Sequence, residues 1–210
     1  MKIVVIGATG GTGRQVVMQA LEIGHEVTAI VRSPEKVDIR HKRLEVIKGD
    51  VLEPSSIAQT IVGKDAIISA LGVSHRKPTS VYSDGTNYVM KAMHATGVRR
   101  LICLSSAGLE IPTDTPMLQR LVIKHIIQKM YKNAYEDMER MEAKVQISKF
   151  DWTIIRPPRL TNGAKTGTYR TAINESLPHA QGISRADLAD YMVRSLTDQS
   201  SYHAVVEISN

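Results

Sequence analysis

The residues with the plainest chemical purpose lie near the start of the chain: Gly7-Ala8-Thr9-Gly10-Gly11-Thr12-Gly13-Arg14. Gly7 permits a tight turn, Gly10 lets the main chain approach a pyrophosphate, and Gly13 allows a helix to pack closely on the preceding strand. Amide N–H groups at a helix start, at the positive end of its dipole, then face the phosphates. Gly11 sits within the same turn, and Thr9 and Thr12 add hydroxyl donors. The spacing is Gly-x-x-Gly-x-x-Gly, not Gly-x-Gly-x-x-Gly. Its place directly after an apolar run distinguishes it from a purely structural glycine turn.

Some way further on, a second position selects between the two pyridine nucleotides. Roughly twenty residues past the glycines, a carboxylate binds the adenosine ribose of NAD, whereas a basic group accommodates the extra phosphate of NADP. Here the strand end reads Val31-Arg32-Ser33-Pro34, with no acid until Glu35. Arg32 offers two donors to a phosphate and a plane to stack on adenine, Ser33 a hydroxyl, and Lys36 further charge. NADP(H) is therefore preferred over NAD(H). In Gly49-Asp50-Val51, Asp50 can accept from the adenine amino group while Val51 packs on the ring, or Asp50 can be a plain turn aspartate. Leu71-Gly72 offers a small backbone against the cofactor ribose.

These groups need elements to hold them. Residues 3–6 are a short, wholly apolar run, as in a strand buried on both faces of a parallel sheet. Residues 12–23 change to helical period, with Val16, Val17, Ala20 and Leu21 on one face and Gly24 at the end. Strands follow at 26–31 and 44–47, a short helix at 55–62 from a Ser cap, a strand at 66–70, a helix at 84–96 ended by Gly97, and a strand at 101–104. Between Pro116 and Pro157 a helix or two is expected over 117–147, then a strand at 152–155. Its first half carries Leu118, Leu121, Val122, Ile126 and Ile127 with Arg120, Lys124, Lys129 and Lys132; its second half is acidic. That apolar stripe reads as a helix covering the sheet, the alternative being a partner or membrane face. Residues 161–178 read as loop, Ser184 as an N-cap with Asp187 in the capping-box position, and 205–208 as a last strand. Alternating strands and helices predict an α/β fold, a Rossmann-type doubly wound, mostly parallel sheet with helices on both faces. The 210 residues form one NAD(P)-binding domain, with 157–183 as a small acceptor-pocket segment.

Composition narrows the rest. Apolar residues make up 42% and charged residues 23%, enough for a buried core. The net charge of +6 invites nucleic acid, but aromatics at 4% leave little for base stacking, and none is expected as partner. A lone cysteine, Cys103, excludes an internal disulfide, and no histidine pair has ligand spacing with acidic support, so no metal is predicted. No apolar run spans a bilayer and the N-terminus lacks a secretory pattern, which makes the cytosol the expected compartment.

Together GATGGTGR, EVTAIVRS, GDVLEP, DAIISALG, LICLSSAG and DWTIIRPPRL resemble the short-chain dehydrogenase/reductase superfamily in its atypical, NmrA-like branch. Within it the chain is similar to the biliverdin- and flavin-reducing members. The resemblance implies a small NADPH-dependent reductase in which Thr9, Gly10, Thr12, Arg32, Asp50, Val51, Leu71 and Gly72 hold the cofactor. Ser105 and Ser106 would lie beside the nicotinamide. Pro157 would line the nicotinamide, and Pro158, Arg159 and Leu160 the acceptor pocket. The superfamily's Tyr-x-x-x-Lys pair registers at Ala134 and Met138, neither of which does proton chemistry; Tyr131 and Tyr135 are off register, and Glu142 matches a recurrent acidic position. Hydride transfer to a planar conjugated acceptor, such as a flavin or quinone, does not require that pair, since the proton can come from solvent. Ser106 is then the hydroxyl that positions nicotinamide or acceptor, with Arg159 attracting an acidic group and His75, Arg76 and Lys77 at the mouth. The alternative is an NADP(H)-binding sensor of NmrA-like type with little turnover. A nucleotide-sugar epimerase is disfavoured by the missing pair. The chain is expected to be a monomer or weak homodimer.

Overall fold

Each Val/Ile-rich run falls into one eight-stranded sheet in the computed structural model, which describes residues 1–111 and 117–210. In chain order the first half holds β1 (Lys2–Ile6), α1 (Gly11–Glu22), β2 (Glu26–Val31), β3 (Leu44–Lys48), α2 (Ser55–Ala58), β4 (Ala66–Ser69), α3 (Ser83–Thr96) and β5 (Arg100–Leu104). The second half holds α4 (Met117–Val122), a π-helical turn (Ile123–Ile127), α5 (Gln128–Met130), α6 (Lys132–Gln146), β6 (Asp151–Arg156), β7 (Arg159–Thr161), β8 (Arg170–Ile173), β9 (Gly182–Ser184), α7 (Arg185–Arg194) and β10 (Ala204–Ser209).

The strand order is β3-β2-β1-β4-β5-β6-β10-β8, parallel throughout except for β8, which runs against β10. This is the doubly wound order, with its switch point between β1 and β4. Strand alternation supplies both faces. Ile3 and Val5 pack with Val16, Val17 and Ala20 of α1 and Leu188 and Met192 of α7. Val4 and Ile6 pack with Val89 and Met93 of α3 and Met141 and Val145 of α6. Gln19 joins α1 to α7 through its amide, which donates to the Ala186 carbonyl at 2.8 Å.

At the opposite end of the sheet from the glycine turn, Arg100 is 4% exposed and has no carboxylate partner among the described residues. Its guanidinium donates to the Asp151 and Ser195 carbonyls and to the Thr153 and Ser201 hydroxyls, and lies over the Tyr202 ring. Burial draws its pKa down to about 10.

Four local expectations are corrected. The helix expected over 55–62 is a single turn, preceded by Pro54 and without a side-chain cap; the hydroxyl that matters is that of Ser56, which donates to the Asp50 and Glu53 carbonyls. The loop expected over 161–178 contains β8, because residues 170–173 pair with the last strand. At Ser184 the cap forms, its Oγ accepting from Asp187 N–H at 2.9 Å. The reciprocal bond of a capping box does not form: the Asp187 carboxylate instead accepts from the N–H groups of Thr166 and Gly167 and from the Asn210 amide. Finally, residues 117–147 are interrupted by the π turn and a break at Tyr131, and the first stripe does not cover the sheet: Leu118, Leu121, Val122 and Ile126 are exposed. Pro116 lies outside the described residues.

Candidate functional site

The glycine turn leaves β1 at the switch point. Gly7 has φ +81°, and a Cβ there would collide with the Ala70 carbonyl at the end of β4. A Cβ on Gly13 would collide with the Gly7 carbonyl, so α1 sits on the turn with no room for a side chain. Gly10 N–H donates to Gly7 C=O at 2.9 Å, and Gly10 C=O takes the first helical bond, from Arg14 N–H at 2.8 Å. The N–H groups of Gly11, Thr12 and Gly13 precede that bond, and a helix makes no internal partner for them. Gly10 caps α1 without a side chain, and the first turn contains no acid. Thr9 is exposed and Thr12 buried. This cradle of main-chain donors fits a dinucleotide pyrophosphate.

A residue that sequence reasoning missed lies over the cradle. Arg185, at the start of α7, rests on Gly11: its Cδ is 2.7 Å from where a Gly11 Cβ would stand, and its Nη1 donates to Asn162 Oδ1 at 2.7 Å. No periodicity marks this contact, which joins residues far apart in the chain; the only trace is a glycine where most helices carry a side chain.

Beyond β2, Arg32 and Lys36 are exposed, and neither side chain forms a hydrogen bond or ion pair among the described residues. Ser33 precedes a short 3-10 turn over Pro34–Lys36 without capping it. The nearby acid, Asp38, is taken by Arg14 through two bonds of 3.0 and 2.9 Å, which hold its carboxyl below the usual range. Arg32 and Lys36 are thus left with their charge uncompensated. Past β3, Asp50 Oδ1 accepts from Leu52 N–H at 2.9 Å, the turn role, and Ser56 Oγ receives the Asp50 N–H. Val51 is 7% exposed and packs against Gly85, where a Cβ would stand 2.9 Å from Cγ2 of Val51. Leu71 is half-buried beside it, and Gly72 is exposed with open space where a Cβ would be.

The other side of the site is built where β5 and β6 end. Ser105 N–H donates to Ile155 C=O and Ala107 N–H to Pro157 C=O, joining the two segments. The Ser105 hydroxyl is engaged: it donates to Glu142 Oε1 at 2.6 Å. Glu142, 4% exposed, is also gripped by Arg156 at 3.0 and 2.5 Å, and Arg156 reaches Glu110 at 2.7 Å. Burial opposes the Arg156 charge, but the two carboxylates hold its pKa above the ordinary value. The Ser106 Oγ accepts from Gly108 N–H at 3.1 Å and neighbours the Tyr135 hydroxyl. Burial pushes the Tyr135 pKa up, the neighbouring Ser106 hydroxyl easing it only in part.

Tyr135, one residue past the expected register, is therefore the tyrosine of this site, while Ala134 and Met138 pack against the core. Gly108 makes this possible, because a Cβ there would collide with the Tyr135 hydroxyl. Four residues beyond Tyr135 stands Glu139, not lysine. Pro157 is buried, Pro158 and Leu160 are half-buried, and Arg159 is exposed at the start of β7, which pairs with β9. His75, Arg76 and Lys77 are exposed, and the Arg76 carbonyl accepts from the Asn133 side chain at 2.7 Å. A separate depression of about 290 Å³, lined by Met18, Leu21, Ile39 and Arg43 among others, lies toward the far end of α1.

Comparison with known proteins agrees with this geometry. The family model described as NAD(P)H-binding matches residues 7–199. The chain is 30% identical over 217 residues to the uncharacterised chloroplastic protein At2g34460 of Arabidopsis thaliana, covering 99% of this chain and 76% of that one. In structure it is similar to the oxidoreductase ylbE of Lactococcus lactis, with a TM-score of 0.81 at 24% identity over 100% of this chain and 91% of that one. It is similar also to SP1627 of Streptococcus pneumoniae, provisionally named an NADH-flavin reductase, with a TM-score of 0.78 at 24% identity over 100% and 99% of the two chains. With the glycine cradle at the switch point and the match across nearly its whole length, this chain belongs to the NAD(P)H-binding family.

Proposed function

We propose that the chain is an NADP(H)-preferring reductase that passes hydride to a planar acceptor, a flavin or a quinone, without a Tyr-Lys pair. The observation that carries this reading is the side-chain set around Ser106. Two hydroxyls neighbour each other there, no lysine is bonded to either among the described residues, and the nearby carboxylate of Glu142 is committed to Arg156. A tyrosine whose pKa is pushed up by burial is a poorer proton donor at neutral pH than one whose pKa is lowered by a lysine. Carbonyl reduction, which needs a proton at the nascent alkoxide, is thereby disfavoured.

When bound, the nicotinamide supplies the hydride. Gly7, Thr9, Gly10, Gly11, Thr12 and Gly13 would hold the pyrophosphate, Arg32, Ser33 and Lys36 the 2′-phosphate, and Asp50, Val51, Leu71 and Gly72 the adenosine side. Ser105, through its backbone, and Pro157 would border the nicotinamide. Ser106, fixed by Gly108 and Tyr135, would orient the reacting ring. Pro158, Arg159 and Leu160, within segment 157–183, would line the acceptor side, with Arg159 drawing in an acidic substituent. The name of the pneumococcal neighbour supports a flavin as acceptor.

The test is turnover. Purified protein should oxidise NADPH when FMN, FAD or a soluble quinone is added. Tight NADPH binding with no oxidation across those acceptors would favour the sensor instead.

A further inference from the structure

We infer that the face formed by residues 117–130 docks on a lipid bilayer carrying anionic headgroups. Toward the protein, this segment turns Ile123, Ile127 and Met130, all half-buried. Toward solvent it presents Met117 at 80%, Leu118 at 76%, Ile126 at 55%, Leu121 at 45% and Val122 at 42% exposure. A helix that is apolar on both sides needs cover on both sides, and none of the described residues covers the outer side.

The charges select the cover. Between Met117 and Tyr135 the sequence contains no Asp or Glu, whereas Lys124, His125 and Lys129 are all exposed among the apolar side chains; Lys132, just beyond them, pairs with Glu136 at 3.7 Å. Asn133 ties the neighbouring loop to the start of α6, which adds the exposed Arg76 and Lys77 to the same side. A second copy meeting this face about a two-fold axis would bring its own cations with it, like against like. An anionic membrane surface supplies the opposite charge at the rim and a hydrocarbon boundary for the leucines, which is the arrangement of an interfacial helix. The docking face also adjoins the proposed acceptor site. Gln128 donates to the carbonyls of Gly108 and Leu109, in the turn that follows Ser106.

Flotation with vesicles tests the assignment. The whole chain is mixed with vesicles of phosphatidylcholine alone, or with about one-third phosphatidylglycerol, at low and high salt. Binding is expected to the anionic vesicles only, and to be lost in about 0.5 M salt. Leu118→Asp with Leu121→Asp should abolish it. Lys124→Gln with Lys129→Gln should lower the partition coefficient about 25-fold, each cation contributing about fivefold. All four side chains are exposed, so unchanged near-ultraviolet circular dichroism and melting temperature will show that the fold is intact. The assignment is overturned if the protein floats with neither vesicle, if it floats equally with both, or if both double variants still bind. It is also overturned if sedimentation shows a lipid-free dimer dissolved by the leucine changes, which would give the face to a second copy. Failure here leaves NADPH turnover untouched, so the two readings fall separately.

Discussion

The two sides of the site are made of different material. On the β1–α1 side the ligand would meet main chain: a left-handed Gly7, a glycine cap, and N–H groups that precede the first helical bond. On the β5–α6–β6 side it would meet side chains set by their neighbours: Ser106 beside Tyr135 and bonded by Gly108 N–H, and Ser105 held by Glu142, itself held by Arg156. A site made of backbone tolerates change at few positions, and those are glycines. One made of side chains spreads its dependence over several residues, each replaceable at moderate cost.

Substitutions sharpen that contrast. Gly7→Ala should have the largest effect, because it adds a Cβ at a positive φ and against the Ala70 carbonyl. We expect destabilisation on the order of 3 kcal/mol in chemical unfolding, and no nucleotide binding by calorimetry. Glu142→Gln comes next: it leaves Arg156 half-buried with the exposed Glu110 as its remaining ion-pair partner among the described residues, and should cost about 3 kcal/mol in unfolding, with weaker effects on nucleotide affinity. Arg32→Ala should weaken NADPH about 10- to 100-fold and NADH hardly at all. By contrast, Arg185→Ala should weaken both nucleotides alike, about fivefold, because it lies on the cradle and not on the adenosine side. Equal losses for NADPH and NADH in the Arg32 variant would remove the 2′-phosphate assignment. Smallest of all, Tyr135→Phe should slow acceptor reduction by no more than about tenfold, with an unchanged pH profile. A collapse of kcat there would make Tyr135 the proton donor and end the contrast.

The same division explains what could be read in advance. Phosphate binding by main chain writes itself into the sequence as glycines at fixed intervals, and the apolar runs that bracket them are local too. The doubly wound sheet with helices on both faces followed from those runs. The proximity of Tyr135 to Ser106, the Arg185–Gly11 contact and the commitment of Ser105 to Glu142 join residues distant in the chain, and nothing in local spacing announces them. The superfamily's register, counted back from the following strand, falls on Ala134, which packs against the core; Tyr135, one position on, is the one beside Ser106, and local spacing does not separate the two. Edge pairing explains β8: a polar segment becomes a strand because β10 offers it an open side, not because its own pattern demands it.

Arg100 has a mechanical consequence. By tying the starts of β5 and β6 to the end of α7 and to the turn before β10, it prevents the strands from fanning apart at their base. Any widening of the crevice for a bulky acceptor must then swing from that end as a hinge, with the displacement falling on the connections at the strand tips and the palm of the sheet keeping its shape.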